Sequence, residues 1–347
     1  MAGTISLSIV VPAFNEAGRL ADGIERLDKA IADGAVDPVS TEVVLVDDGS
    51  TDGTASVAAD LLAHLPHTQI VRSERNRGKG GAIRLGVGRA QGLSVAFTDA
   101  DMAIDPDQFP LLVEALYTAH VAIGARTLKG SRAEGDSTRR KVMGRVFNRL
   151  VNGLTGLELG DTQCGFKGFR SSVARLLFHC TGIDGFAFDV EVLYVARQLG
   201  LTIAQVPVRW RNISGTRVRP LVDPVAMALD IVGGWARRRA PTPLPAFTVG
   251  PARGTRVGAD DLYDDLVRRV VDTVGPSLPV LTTPGEGATV LMPLASAQEL
   301  ARIRAALGDL ELPDGSPVAI RQVSVPFAAL RARAPLGLAA PSPAWRP

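Results

Sequence analysis

The sequence predicts an α/β fold whose main part is a mostly parallel sheet flanked by helices. Short runs rich in β-branched residues follow one another in the first hundred residues: LSIVVPAF, TEVVLVDDG, TQIVRSE and LSVAFTDAD. Such runs are typical of strands that are buried on both faces. The stretches between them, 16–33, 52–64 and 79–91, are predicted to be helices. A regular alternation of strand and helix winds a parallel sheet.

Polar or acidic residues follow three of these strands. They are Asn15 and Glu16, Asp47 and Asp48, and Asp99 and Asp101. Ligands of open α/β sheets bind in the crevice outside the carboxyl ends of the strands. We therefore expect the three clusters to share one crevice.

The middle of the chain is basic. Residues 126–149 carry eight Lys or Arg residues against two acids. Within them Met143, Phe147, Leu150 and Leu154 recur at helical spacing. The pattern predicts a basic amphipathic helix, the kind that lies on an anionic membrane surface; an ordinary surface helix is the alternative. Downstream, FAFDVEVLYVARQLG predicts a helix and IAQVPVRW a strand.

Proline and glycine indicate a boundary near residue 240. The stretch 241–254 predicts a linker between a main domain, 1–240, and a small α/β appendage, 255–333, of unknown role. In the appendage, helices are predicted at 260–274 and 296–307, and strands at 278–283, 288–293 and 317–325. The Ala- and Pro-rich tail, 334–347, is predicted to be disordered.

Composition narrows the class of protein. The chain has 347 residues, 46% of them hydrophobic, which is enough for one large core or two smaller ones. Its two cysteines and four histidines show no metal-ligand spacing, and so few cysteines suit a reducing compartment. No signal peptide and no apolar run of about 18 residues is found, so we predict a cytoplasmic protein without a membrane span. No nucleic-acid partner is predicted.

The sequence Asp99-Ala100-Asp101 has the residue types of a metal site. Alternate residues of an extended segment point the same way, so both carboxylates could bind one Mg²⁺ or Mn²⁺ and leave positions open for a diphosphate. The alternative is a solvated turn before a capped helix. The nearby Asp105 and Asp107 are assigned to that structural alternative.

Two further loops suit a nucleotide. In LVDDGSTDGT, a carboxylate of Asp47 or Asp48 could accept from uracil N3–H or a ribose hydroxyl, although a capped turn explains the same residues. In NRGKGGAIR, Lys79 and the backbone N–H groups suit a diphosphate at a helix start. The loop lacks the Walker A spacing, and no GxGxxG follows the first strand, which argues against ATPases and Rossmann dehydrogenases.

Taken in order, these stretches resemble the family 2 glycosyltransferases with a GT-A fold. The resemblance rests on IVVPAFNEAGRL, VLVDDGSTDGT, ERNRGKGGAIRLG and FTDADM, followed by DTQCGFKGFR, FAFDVEVLYVARQLG and VPVRW. The later motifs are similar to the dolichyl-phosphate β-glucosyltransferase branch, with polyprenyl-phosphate mannose synthases as neighbours. The resemblance covers residues 5 to about 235.

The resemblance implies a role for each matching residue. The residues implied to bind the sugar nucleotide are Pro12, Ala13, Glu16, Asp47 or Asp48, Lys79 and Asp99. Asp99 and Asp101 would bind Mg²⁺ or Mn²⁺. The acceptor phosphate would be bound by Arg139 or Arg140, of which Arg140 is preferred, by Lys167, and by Arg217. We assign Asp99, Asp101, Arg140 and Lys167 to catalysis, with Asp161 orienting Lys167.

Asp189 could have one of two roles. Relatives that glycosylate hydroxyl groups have an Asp near this point that acts as the base. In the branch that uses a phosphate acceptor, the same FDVE sequence occurs without need of a base. We therefore assign Asp189 to sugar binding or to structure, and keep the base role as the alternative.

The expected activity is the inverting, metal-dependent transfer of a hexose to polyprenyl phosphate, giving a β-linked product. The expected donor is UDP-glucose. The alternatives are GDP-mannose with the same acceptor, a soluble enzyme acting on a small hydroxyl compound, and a non-catalytic scaffold that binds sugar nucleotides. The protein would bind peripherally to the cytoplasmic face of a membrane, directly through the basic helix or through a membrane-protein partner.

Overall fold

The computed structural model of the chain describes residues 4–135, 138–213, 243–251, 260–274, 278–283, 287–310 and 318–332. Nine strands lie in the first 213 residues: β1 (Leu7–Ala13), β2 (Thr41–Asp47), β3 (Thr68–Arg72), β4 (Ser94–Phe97), β5 (Val121–Ala125), β6 (Arg132–Glu134), β7 (Lys167–Arg170), β8 (Ile203–Pro207) and β9 (Arg209–Arg211). The α-helices described there are α1 (Leu20–Ala32), α2 (Thr54–Leu62), α3 (Lys79–Val87), α4 (Phe109–Ala115), α5 (Thr138–Thr155), α6 (Ser171–Cys180) and α7 (Phe188–Gln198).

Seven of these strands form one sheet in the order β3-β2-β1-β4-β7-β5-β8. All of its neighbouring strands are parallel except β7, which runs antiparallel to both β4 and β5. One face is covered by helices that include α3, α6 and α7, and the other by α1, α2 and α4. The predicted α/β fold with a mostly parallel sheet is confirmed.

Because β7 is antiparallel, its first residues lie at the edge of the sheet where the parallel strands end. Its first residue, Lys167, pairs with Phe97, the last residue of β4. The start of β7 therefore lies at the edge where the parallel strands end, and the loop before it lies beside Asp99.

Helix α5 is apolar on two sides. Phe147 and Val151 are buried, whereas Val146, Leu150 and Leu154 are 59%, 49% and 41% exposed. The sequence pattern had placed Phe147 in one stripe with Leu150 and Leu154. In the structure these residues lie on different sides of the helix. Phe147 and Val151, one turn apart, pack into the core, and Leu150 and Leu154 face outward.

The C-terminal region forms a second sheet. Its elements are β10 (Leu244–Pro251), α8 (Asp260–Val274), β11 (Val280–Thr283), β12 (Gly287–Leu291), α9 (Ala297–Gly308), β13 (Val318–Val325) and α10 (Phe327–Ala332). The four strands are antiparallel in the order β11-β12-β10-β13, so the succession is strand–helix–strand–strand–helix–strand. This is the split βαβ arrangement.

The expected linker at 241–254 was wrong for residues 244–251. Strand β10 lies inside the sheet and pairs with both β12 and β13. Its residues alternate between two apolar clusters. Leu244 and Ala246 join the cluster that contains α6 and α7, while Phe247 and Val249 join the core beneath α8 and α9. The prolines and glycines of this stretch had favoured a linker over a strand. The predicted helices and strands of the appendage are found close to their predicted bounds.

The C-terminal sheet packs on the seven-stranded region through the face opposite α8 and α9, together with α10. Leu281, Leu291 and Leu330 belong to the same apolar cluster as α6 and α7. An ion pair joins Arg175 to Glu299 at 3.2 Å, and Leu294 N donates to His179 Nδ1 at 3.2 Å. Helix α6 is therefore covered on both sides, and even Arg175 is only 8% exposed.

Some predictions fall outside the described residues: Arg217 and the tail at 334–347. Arg139 and Arg140 lie in the first turn of α5, and their side chains are likewise outside the description. Within the described ranges, no helix is both long and apolar enough to span a bilayer.

Candidate active site

The three polar clusters do meet at one edge of the seven-stranded sheet. Ala13, the end of β1, lies in register with Asp47, the end of β2, and Asp48 N donates to Ala13 O. The loops after the two strands are joined further, because Asn15 N donates to Ser50 Oγ at 2.8 Å. Glu16 N donates to Thr54 Oγ1 at 2.9 Å. Strand β4 pairs with β1 and brings Asp99 and Asp101 to the same edge.

A tight turn presents Asp99 and Asp101. Met102 N donates to Asp99 O at 2.8 Å, and Met102 has a positive φ of 44°. Each carboxylate then meets a cation from a different loop. Lys79 Nζ lies 2.5 Å from Asp99 Oδ1, and Arg19 donates to Asp101 Oδ2 at 2.9 Å. The turn thus gathers two acids and two bases at the crevice.

The electrostatics of this turn suit a divalent cation. Burial raises the pKa of Asp101, and the negative charge of Asp99 raises that pKa further. Burial by itself would lower the pKa of Lys79, but the carboxylates of Asp99 and Asp189 keep that pKa above its ordinary value. Among the described residues no cluster of three metal-binding side chains exists. The carboxylate oxygens of Asp99 and Asp101 are the ligand type that Mg²⁺ or Mn²⁺ prefers, and a metal at this turn stays a prediction.

Glycine at position 165 allows this arrangement. A Cβ there would lie 2.4 Å from Asp99 Oδ2 and 3.1 Å from Lys79 Nζ. The loop before β7 therefore supports the Lys79–Asp99 pair by close backbone approach. Asp105 and Asp107 instead pair with Arg211 and Arg209. Asp105 makes no side-chain cap to the short helix that follows it.

Lys167 is sealed beneath the crevice. Its Nζ donates to Asp189 Oδ1 and to Cys164 O, both at 2.6 Å, and lies 5.7 Å from the centre of the Phe97 ring. The side chains of Lys167 and Asp189 are 0% and 6% exposed. Burial raises the pKa of Asp189, and the charge of Lys167 opposes that rise.

This position departs from the expectation that Lys167 binds the acceptor phosphate. The ammonium faces Asp189 rather than the crevice, because β7 carries it below the level of the Asp99 turn. In this structure Lys167 holds Asp189 in place. The expected helper of Lys167, Asp161, instead binds Arg126 through both carboxylate oxygens, at 2.7 and 3.0 Å.

Asp47 and Asp48 both stabilise loops. Asp47 Oδ1 accepts from Ser50 N at 2.9 Å. Asp48 accepts from Arg77 N and Gly78 N at distances of 2.8 to 3.0 Å. Burial raises the pKa of Asp48. Asp47 thus stabilises its own turn, whereas Asp48 joins this turn to the loop at 76–78. A contact of either carboxylate with the nucleotide base stays a prediction.

The glycine loop at 76–81 differs from its expectation. Its backbone donors were expected to bind a diphosphate, but Gly80 N and Gly81 N donate to Asp184 O. Gly78 has a φ of 88°, and a Cβ there would lie 2.6 Å from Asp184 O. The loop is thus held between Asp48 and Asp184, and what it offers to a diphosphate is the side chain of Lys79.

Sequence reasoning missed Arg126, which follows β5 at the same edge of the sheet. Its guanidinium is bound by Asp161, lies 5.9 Å from the Trp210 ring centre and is 35% exposed. Burial alone would raise the pKa of Asp161, but Arg126 outweighs it and holds that pKa below its ordinary value. The position of Arg126 directly after β5 was the one sequence feature that could have indicated a site residue. Arg19 was missed because Asp101 is distant in sequence.

Comparison with known proteins places the chain in a family. A sequence profile described as glycosyl transferase family 2 matches residues 8–178. The dolichyl-phosphate beta-glucosyltransferase of Drosophila melanogaster is 35% identical over 67% of this chain and 76% of its own length. The chain belongs to glycosyl transferase family 2. The human protein of the same name is 33% identical over 66% of this chain and 74% of its own length.

Solved structures agree with a GT-A fold for this family 2 glycosyltransferase. Glucosyl-3-phosphoglycerate synthase from Mycobacterium tuberculosis, in complex with Mn²⁺, UDP and phosphoglyceric acid, is 25% identical with a TM-score of 0.50. The match covers 70% of this chain and 82% of the synthase. A complex of the same synthase with phosphoglyceric acid gives a TM-score of 0.51 at 25% identity, over 67% of this chain and 79% of the synthase.

Proposed function

We propose that this glycosyltransferase moves glucose from UDP-glucose to a polyprenyl phosphate, with inversion at the anomeric carbon. A phosphate oxygen of the acceptor forms the new bond to the anomeric carbon while the bond to UDP breaks. The products are a β-linked polyprenyl-phosphate glucose and UDP. The curated relatives named above support both the glucosyl group and the lipid phosphate.

The Lys167–Asp189 pair is the observation that favours a phosphate acceptor over a hydroxyl acceptor. A hydroxyl acceptor needs a carboxylate that can take its proton. Asp189 is the candidate, but it is 4% exposed overall and bound by an ammonium group. A phosphate acceptor is already ionised and needs cations instead. Arg126 supplies one at the crevice, held rigidly by Asp161, and Arg140 is proposed as a second.

Asp99 and Asp101 are proposed to hold the divalent cation together with the donor diphosphate. When bound, the cation neutralises charge on the departing UDP. Lys79 adds a positive charge beside the same diphosphate. Glu16 and the loop after β1 form one wall of the nucleotide pocket, together with Pro12 and Ala13.

The exposed side of α5 is proposed to lie on the membrane that contains the acceptor. Val146, Leu150 and Leu154 form an apolar stripe, with Arg145 and Arg149 exposed beside it. The helix sequence contains five basic residues and no acid. Apolar insertion and attraction to anionic headgroups act together on such a helix. The protein would then work at the cytoplasmic face as a peripheral enzyme.

A parallel transfer assay tests the proposal. Radiolabelled UDP-glucose or GDP-mannose is incubated with Mn²⁺ or Mg²⁺ and either a short polyprenyl phosphate or 3-phosphoglycerate. Chloroform-extractable label from UDP-glucose is the expected result. Label from GDP-mannose would replace only the donor. Water-soluble product from 3-phosphoglycerate, without lipid product, would overturn the lipid acceptor and return Asp189 to the role of base.

Vesicle sedimentation tests the membrane contact. The variant Leu150→Ser, Leu154→Ser should lose binding to vesicles that contain anionic lipid. Leu111→Ser is the matched control, because Leu111 is 38% exposed on α4. Equal binding of both variants and the wild type would remove α5 from the proposed surface.

A further inference from the structure

The two carboxylates proposed to hold the metal each have a cation of the protein against them. Arg19 reaches Asp101 from the turn before α1, and Lys79 reaches Asp99 from the first turn of α3. The side chains of Arg19, Lys79 and Asp101 are 27%, 16% and 20% exposed, whereas that of Asp99 is 45% exposed. Two elements far apart in sequence thus supply one cation to each carboxylate.

Both cations are fixed in position by other contacts. Glu16 Oε2 lies 3.5 Å from Arg19, which keeps the guanidinium at the mouth of the crevice. Lys79 is enclosed by the close approach of Gly165. The carboxylate oxygens Asp99 Oδ1 and Asp101 Oδ2 are therefore occupied by positive charge in this structure.

A divalent cation has to compete with these two side chains for the same carboxylates. If it takes Asp99 and Asp101, Lys79 loses its 2.5 Å contact to Asp99 and Arg19 its 2.9 Å contact to Asp101, while Glu16 stays 3.5 Å from Arg19. Giving up such partly buried charge contacts is costly. A nucleoside diphosphate that arrives with the cation offers new oxygens to both side chains. The cation alone lacks this compensation.

We propose that Arg19 and Lys79 are built-in counter-ions that make the binding of the divalent cation depend on the binding of a diphosphate. Arg19 acts as a positioning residue, through Asp101, and no sequence motif had assigned it a role. The inference rests on the proposed function only in that the donor carries a diphosphate; it does not depend on the sugar or on the acceptor.

The proposal can be tested by binding measurements alone, because the affinities for Mn²⁺ and for a diphosphate are thermodynamically linked. If a diphosphate tightens the binding of Mn²⁺ by some factor, Mn²⁺ must tighten the binding of the diphosphate by the same factor. Free Mn²⁺ is followed by electron paramagnetic resonance, with no added ligand and with UDP, GDP or inorganic pyrophosphate. The full chain is used as wild type, Arg19→Gln, Arg19→Lys and Arg26→Gln.

Arg26→Gln is the matched control. Arg26 lies on α1, the helix that follows Arg19, faces Asp105 at 3.6 Å, and its replacement removes the same charge. Circular dichroism checks that each variant is folded.

In the wild type we expect UDP or GDP to tighten Mn²⁺ binding by about tenfold or more, a coupling within the ordinary range for linked sites. In Arg19→Gln, Mn²⁺ alone should bind several-fold more tightly and the coupling factor should fall. Arg19→Lys and Arg26→Gln should keep the wild-type coupling.

The proposal is overturned if the wild type binds Mn²⁺ equally well with and without a diphosphate. It is also overturned if folded Arg19→Gln keeps the full coupling. Should Arg19→Gln fail to fold, Lys79→Gln is measured in its place, because Lys79 faces the other carboxylate, and a folded Lys79→Gln with full coupling would likewise overturn the proposal. Coupling with pyrophosphate in a protein that forms no lipid product would uphold this inference and reject the proposed function.

Discussion

The two sheets of this protein use their surfaces differently. The seven-stranded sheet is covered by helices on both faces and carries its charged groups at the strand ends. The four-stranded sheet has α8 and α9 on one face and sets its other face against α6 and α7. In the first sheet the strand ends are open to a crevice, whereas in the second sheet one whole face packs against neighbouring helices.

The C-terminal region packs closely against helices of the seven-stranded region. Helix α6 leads from β7 to the loop that holds Asp184 and on to Asp189. The outer side of α6 is covered by the C-terminal sheet. Packing there can therefore affect residues at the strand ends, although none of the described residues of the C-terminal region contributes a charged group to the crevice.

The largest expected difference in turnover is between Asp101→Asn, at the end of the seven-stranded sheet, and Glu299→Gln, in the C-terminal region. Asp101→Asn removes one of the two charges proposed to hold the cation, while the shape of the side chain is kept. Loss of this contact should reduce turnover by about a thousandfold or more, since a bound cation supplies several kcal/mol in such reactions. The radiolabel assay measures it. Glu299→Gln, which removes a carboxylate from the C-terminal region, should keep turnover within threefold of wild type, because Glu299 pairs with Arg175 and with none of the residues that meet at the crevice. Activity of Asp101→Asn within tenfold of wild type would contradict the assignment.

Gly165→Ala should have the next largest effect on turnover. The added methyl group would push against Asp99 Oδ2 and Lys79 Nζ. Misplacement of such groups by about 1 Å can cost roughly a hundredfold in rate. Gly182→Ala is the control, because a Cβ at Gly182 meets nothing within 4 Å. Equal rates in both variants would show that Gly165 has no part in placing Asp99.

Two neighbouring residues of β12 can separate the roles of the two faces of the C-terminal sheet. Leu291 packs toward α6, while Val290 packs beneath α8 and α9. Leu291→Ala should cost about 2–5 kcal/mol of unfolding free energy, and Val290→Ala somewhat less. Hydrogen exchange should be faster in α6 for Leu291→Ala and faster in α8 for Val290→Ala. The same exchange pattern in both variants would break the comparison.

The smallest expected effect is on the pH dependence of stability. Arg126 holds the pKa of Asp161 below its ordinary value in the folded protein. The pair therefore stabilises the fold above about pH 4, the ordinary range of Asp, and this stability is lost as the pH falls through the folded-state pKa. Asp161→Asn should cost about 1–3 kcal/mol at pH 7 and progressively less toward pH 3. Urea unfolding measures the difference, and a cost that does not change with pH would contradict the ion pair.

Much of the catalytic sheet could be predicted because its strands are buried on both faces. Runs such as VVLV in β2 leave little choice of structure. The polar strand ends were predictable for the same reason, since a parallel sheet brings them to one edge. The antiparallel direction of β7 was not, because its four residues, Lys167–Arg170, carry no signal of direction.

The contacts that complete the site could not be predicted from local sequence. Arg19 and Asp101 are 82 residues apart, and Arg126 and Asp161 are 35 apart. Such pairs depend on the path of the chain between them. The burial of Lys167 was missed for the same reason, since the motif indicated a charged residue but not the depth at which β7 places it.

The reversed strand β7 also affects how the protein fluctuates. One continuous stretch meets the crevice twice, first with Lys167 and then, after α6 has crossed the sheet and returned, with Asp184 and Asp189. The ion pair between Lys167 and Asp189 closes a loop of 22 residues. Segments of this kind tend to open and close as cooperative units with their own free energy. One opening event would therefore withdraw Asp189 and the support of the glycine loop together, while Asp99 and Asp101 stayed on the turn after β4. The two halves of the site would then open and close at different rates.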